Sequence, residues 1–167
     1  RKEKRNECSD YYIWDDNVFE GHLVGMSGNA PRNGTYAVNF FCFQPALNYG
    51  YYKKEYSWQF DYKDERLSAL HNKVVDIMKF WLDKGVDGFR CDMASSIVKN
   101  DVNGQGSCEI WRKLFGEVRK SYPQAIFISE WGQPEYAVGS GAFDIDFFTH
   151  CYNDGYNNLF RKESGCN

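Results

Sequence analysis

A chain of 167 residues with 43% hydrophobic content is long enough for one domain with a real core. The balance of 20 basic and 23 acidic residues, net charge −3, offers no basic field for nucleic acid. No run of 18 apolar residues is present to span a membrane. Aromatic residues are abundant, at 5 Trp, 12 Tyr and 13 Phe. Such rings pack cores, and they also stack on the apolar faces of sugars.

In chain order, the basic run Arg1 to Arg5, broken by Glu3, reads as a solvated terminus. The first residue is Arg and no signal peptide is visible, so the expectation is a leader already removed or a region excised from a longer chain. Residues 1–60 read as a long, irregular but structured excursion. Gly, Asn and Pro cluster between Gly25 and Gly34, and aromatic runs flank them at Tyr11–Trp14 and Tyr36–Phe43. Regular order is expected from residue 61 onward. Leu67, Leu70, Val74, Ile77, Met78, Trp81 and Leu82 recur at steps of mostly three and four, predicting a helix over 65–84. Asp64 is its candidate N-cap and Gly85 its stop.

A short apolar segment, 86–93, reads as a strand, and 100–107 as a polar, glycine-bearing loop. A second helix is predicted from about Glu109, with Ile110, Leu114, Phe115 and Val118 on one face and Pro123 just beyond it. Strands are predicted at 125–131 and 143–148, with a glycine turn at 139–141 before the latter. Helix, strand, helix, strand, loop and strand in succession argue for a parallel α/β sheet or barrel.

Side chains alternate along a strand. In the first predicted strand Phe89, Cys91 and Met93 share one face, suited to packing on helices, while Gly88, Arg90 and Asp92 share the other. Arg and Asp on an inward face are costly in an ordinary core. At the carboxyl end of a barrel strand they are what an active site requires, and a structural Arg–Asp pair is the competing reading. In the second strand Ile126, Ile128 and Glu130 share a face, and Glu130 projects at the carboxyl end. Two consecutive strands therefore each end in an inward carboxylate. If they pair, their spacing of about 4.7–4.9 Å suits the roughly 5–5.5 Å that retaining glycosidases use between carboxyls. Arg90 beside Asp92 favours an ionised nucleophile. Glu130, between Ile128 and Trp131 with no adjacent cation in sequence, is the candidate proton donor.

Gly88-Phe89-Arg90-Cys91-Asp92 resembles the fourth-strand motif of the α-amylase superfamily (glycoside hydrolase family 13), and Ile128-Ser129-Glu130-Trp131 its fifth-strand acid/base segment. Gln44-Pro45-Ala46-Leu47-Asn48-Tyr49 is similar to the short motif near the end of that family's domain B. Tyr12-Ile13-Trp14 is similar to the aromatic run that opens domain B in its glucosidase-like branches. The order and spacing agree across nearly the whole chain.

The resemblance implies a domain-B-like segment over 1–60 and, over 61–167, part of a (β/α)8 TIM barrel from about its fourth to its sixth strand. It implies Asp92 as nucleophile, Arg90 as its orienting cation and Glu130 as acid, then base. Asn48 and Tyr49 would lie at the cleft edge. Trp131 would line a sugar subsite, although alternation turns it outward toward packing, and His150 would reach the cleft. The implied partners are an α-glucan or oligosaccharide substrate and the remaining barrel strands.

The family's third-strand Asn-His and seventh-strand His-Asp motifs are missing, because the three histidines precede Leu23, Asn72 and Cys151. The expectation is a middle segment, nearly inactive alone, whose open sheet edges favour self-association. A non-catalytic carbohydrate-binding or assembly module, and a disaccharide phosphorylase or isomerase on the same scaffold, are the alternatives.

Other residues are read more plainly. No organic cofactor is called for. The stretch 101–106 resembles a calcium loop but lacks its terminal bidentate Glu, so a polar loop is the preferred reading. Asp144 and Asp146 share a face of the third strand and read as a carboxylate pair or, by preference, as structural. His71 reads as a structural mid-helix residue. Cys8, Cys42, Cys91, Cys108, Cys151 and Cys166 show no CxxC or metal spacing and read mostly as reduced thiols. The compartment stays open, leaning cytoplasmic over secreted.

Overall fold

The computed structural model describes residues 6–15, 25–27, 35–39, 41 and 43–147. In the first sixty residues, three short strands, β1 (Trp14–Asp15), β2 (Gly25–Ser27) and β3 (Thr35–Ala37), form an antiparallel sheet in the order β1-β3-β2. Ile13, Ala37, Ala46 and Tyr51 make a small core under it, with Trp58 packed alongside. Tyr49 and Tyr62 instead join the main core, so the two parts are stitched together between residues 47 and 62.

The predicted first helix is present. Asp64 accepts a hydrogen bond from the Arg66 N–H and opens a 3-10 turn, Glu65–Leu67, that runs into helix α1 (Ser68–Asp83). Gly85, with φ of +93°, ends it in the left-handed conformation that glycine adopts without strain. Strand β4 (Gly88–Cys91) follows, then helix α2 (Gln105–Arg119), strand β5 (Ile126–Ser129), a short helix α3 (Pro134–Ala137) and strand β6 (Ile145–Asp146).

Helix α2 begins four residues before the sequence suggested. The Asp101 carboxylate reaches forward to accept from the N–H groups of Gly106 (3.1 Å) and Ser107 (2.7 Å), which would otherwise be unpaired at the helix start. Both oxygens are thereby engaged, and Asp101 caps the start of α2 within the stretch read as a polar loop. The expected loop at 139–141 is preceded by α3, which Pro134 initiates at a first-turn position.

Strands β4, β5 and β6 are parallel and adjacent in chain order, the topology of consecutive barrel strands. One face of this sheet packs on the helices. Phe127 is fully buried and stacks on Phe115 with ring centroids 3.7 Å apart, and Phe115 in turn meets Trp111 and Phe143. The apolar face of α2 expected from the sequence, Ile110, Leu114, Phe115 and Val118, is buried throughout. On the opposite face Ile126, Ile145 and Phe147 are 42%, 49% and 38% exposed. Among the described residues β4 and β6 each pair on one side only. Cys8, Cys91 and Cys108 are free thiols, while Cys42, Cys151 and Cys166 lie outside the described residues. No described helix is long and apolar enough to cross a membrane.

His71 is buried in α1. It stacks on Tyr49 at 5.9 Å and stands 3.4 Å from Lys113 Nζ of α2 through its Nδ1. Burial, and then the Lys113 charge, hold it down at about 4, so it is neutral when folded. Because the unfolded chain takes up a proton near pH 6.5 and the folded chain does not, stability is full above that pH and falls between it and about 4. His71→Leu should flatten this part of the curve. Urea midpoints measured from neutral pH down to about 4 test it, and an equal slope in both proteins would refute it.

Candidate active site

The β4–β5 ladder sets Gly88 against Ile126, Arg90 against Ile128 and Cys91 against Ser129. It continues past the formal strand ends: the Glu130 N–H donates to the Cys91 carbonyl (3.0 Å) and the Ala94 N–H to the Glu130 carbonyl (3.3 Å). Asp92 and Glu130 are therefore lateral neighbours at the carboxyl ends of two paired parallel strands. Gly88 permits this close approach, since a Cβ there would lie 2.0 Å from the Ile126 carbonyl oxygen.

Arg90 lies between the two acids. One terminal nitrogen is ion-paired with Asp92 Oδ1 and the other with Glu130 Oε1, so a single guanidinium fork joins both carboxylates, and the cation that the sequence set beside Asp92 alone also reaches Glu130 across the paired strands. Its guanidinium also sits 5.4 Å from the Phe147 ring centroid, on the open face of the sheet. The Arg90 hydrogen bond, and then one with Glu130, hold Asp92 below the usual carboxylate range. The remaining oxygen of Glu130, Oε2, accepts from the Met93 N–H at 3.1 Å. Side-chain exposures of 69% for Asp92, 39% for Arg90 and 32% for Glu130 leave the group open to solvent.

Strand alternation places Phe89 and Cys91 toward the helices as expected, but not Met93. The strand ends at Cys91, and Met93 takes φ of +47°, so its side chain is 43% exposed and its N–H turns onto Glu130. A left-handed methionine leaves no mark in a sequence, so this contact is set by the tertiary structure alone.

The more distant candidates are placed differently. Asn48 is buried, and its Oδ1 accepts from the Gly50 N–H at 3.1 Å, forming the turn that lets Gly50 adopt φ of +82°. Tyr49 is in the main core, in the same cluster as Cys91 and stacked on His71, rather than at a cleft edge. Burial pushes its hydroxyl well above the usual tyrosine range. The Trp131 ring lies on Gly104, where an added Cβ would come within 2.1 Å of Cζ2, and its Nε1 donates to Gln133 at 3.3 Å. It packs against the core at the start of α2, as alternation implied, instead of facing the acids. His150 lies outside the described residues.

Asp144 and Asp146 do not form a carboxylate pair. Asp144 accepts from Arg119 (2.6 and 2.8 Å) and from the Phe127 N–H (2.8 Å). Asp146 accepts from Ser129 Oγ (2.5 Å) and the Trp131 N–H (3.0 Å). Among the described residues no cluster of three His, Cys, Asp or Glu could hold a metal ion.

The alpha-amylase catalytic-domain model matches residues 1–136, and the chain belongs to that family. It is similar to an oligo-1,6-glucosidase of Bacillus sp. (strain F5), 32% identical over 108 residues, which covers 59% of this chain and 18% of that protein. It is also similar to a glucan 1,6-alpha-glucosidase of Streptococcus pneumoniae, 34% identical over 95 residues, covering 54% of this chain and 15% of that one. The chain thus spans less than a fifth of the length of these curated relatives. Among solved structures it superimposes on Eubacterium rectale Amy13B with a TM-score of 0.63 at 22% identity. That match covers 94% of this chain and 27% of the other, and shows the shared fold.

Proposed function

We propose that this chain carries the nucleophile and the acid/base of a retaining glycoside hydrolase or transglycosidase acting on α-linked glucosides. The observation that carries the reading is the Arg90 fork joined to Asp92 and Glu130 at the ends of adjacent parallel strands. Neighbouring strands lie about 4.8 Å apart, close to the roughly 5–5.5 Å carboxyl separation of retaining enzymes and short of the roughly 6.5–9.5 Å that an inverting enzyme needs for its water.

In this reading Asp92, kept ionised by Arg90, attacks the anomeric carbon. Glu130 gives its proton to the departing glycosidic oxygen. A glycosyl ester forms on Asp92. Glu130, now a carboxylate, takes a proton from the incoming water or sugar hydroxyl, which attacks the ester and releases Asp92. The names of the relatives favour α-1,6-linked glucosides as first substrates. Retention of both acids and the arginine weighs against a binding-only module.

The test is to incubate the complete gene product with a nitrophenyl α-glucoside, whose glucose comes only from the cleaved bond, and follow the first-formed glucose by proton NMR, with isomaltose and maltose compared for turnover. The α-anomer is expected at early times. The β-anomer first would overturn retention, glucose 1-phosphate formed only with added phosphate would make the protein a phosphorylase, and sugar binding without turnover would make it a binding module.

A further inference from the structure

Glu130 is held differently on its two sides. Toward β4, its own N–H and carbonyl complete the ladder with Cys91 and Ala94. Toward β6, the last ladder bond among the described residues lies one residue earlier, where the Phe147 N–H donates to the Ser129 carbonyl at 3.2 Å. The Trp131 N–H, next in line, is met by a side chain. Asp146 Oδ1 accepts from that N–H at 3.0 Å and from Ser129 Oγ at 2.5 Å. One carboxylate oxygen therefore binds the residue before Glu130 and the residue after it. Ser129 is fully buried, and its hydroxyl also lies 3.3 Å from the Ile145 carbonyl. The bridge is thus built into the sheet rather than lying on its surface.

We propose, resting on the glycosidase reading above, that Asp146 is a positioning residue for the acid/base. By clamping Ser129 and Trp131 it fixes the backbone from which Glu130 projects, and so fixes where the Glu130 proton is delivered. Asp146 takes no part in bond making. Its loss should weaken proton delivery selectively, because small displacements of a general acid reduce proton transfer while nucleophilic attack depends on β4.

The complete gene product and its Asp146→Ala, Asp146→Asn and Ser129→Ala variants are compared on two substrates. One is an α-glucoside with a sugar leaving group, which needs protonation to depart. The other is α-glucosyl fluoride, whose leaving group needs far less help. For Asp146→Ala, kcat/KM on the glucoside should fall on the order of 10²-fold while the fluoride changes less than about threefold. The basic limb of the pH profile on the glucoside should also shift. Asp146→Asn, whose carbonyl oxygen still accepts both bonds, should restore most of the rate, and Ser129→Ala should give a partial loss with the same selectivity. Equal losses on both substrates, tracking a fall in Tm, would reduce Asp146 to a structural residue. An unchanged Asp146→Ala enzyme would overturn the proposal outright. A wild-type protein that turns over neither substrate would instead overturn the glycosidase reading, and the positioning role with it.

Discussion

Asp92→Ala in the complete gene product is expected to lower kcat/KM for an α-glucoside by about 10⁴-fold or more, because in the proposed mechanism it removes the atom that bonds to the sugar. Glu130→Ala should cost much less on α-glucosyl fluoride than on a sugar leaving group. Added azide separates the two roles. In Asp92→Ala it can enter only from the face that Asp92 vacates, giving the β-glucosyl azide. In Glu130→Ala it displaces the ester on Asp92, giving the α-anomer. The opposite pattern would exchange the roles, and no azide product from either would argue against covalent catalysis.

The same geometry sets a pH dependence. Arg90 holds Asp92 below the usual carboxylate range, so the acid limb of kcat/KM should lie below the ordinary aspartate value of about 3.9. Arg90→Met should raise that limb, since Asp92 then protonates at a higher pH. A limb that does not move would mean that Arg90 positions Asp92 without controlling its charge.

Gly88→Ala is expected to be the most damaging single-methyl change in the sheet. The added carbon would lie 2.0 Å from the Ile126 carbonyl oxygen, 2.8 Å from its carbon and 2.9 Å from its nitrogen. All three are backbone atoms of the paired strand, so no side-chain rotation relieves the clash. β4 and β5 must separate, at a cost of about 3 kcal/mol, the upper range for overpacking. That corresponds to a fall in Tm of roughly 6–12 °C. Activity should fall further than stability alone explains, because the same ladder sets Asp92 beside Glu130. A melting temperature within about 2 °C of wild type would show that the sheet tolerates the methyl.

Local physics made the helix-strand succession legible in the sequence. Leu70, Met78 and Leu82 recur at helical spacing and are buried, whereas Ile77 and Trp81 of the same expected face are exposed, and Asp64 and Gly85 bound that helix as caps do. Alternation put Arg90 and Asp92 on one face and Glu130 at the end of the next strand, and the parallel ladder brings them together. What alternation could not carry is anything beyond the strand end. Met93 leaves the extended conformation at φ of +47° and gives its N–H to Glu130, a contact fixed by the chain turning over the β5 terminus.

The early start of α2 likewise depends on Asp101 reaching two N–H groups five and six residues ahead, a spacing that no helical period marks. Tyr49 carries a motif that suggests a cleft, yet it lies in the core because its ring finds His71 there. Nothing near Asp146 in sequence names Ser129 or Trp131, which lie 17 and 15 residues away. Periodicity and residue type determined the elements and the two acids. Tertiary pairing decided which backbone groups hold those acids, because an unpaired N–H at a strand end takes whichever acceptor the fold brings to it.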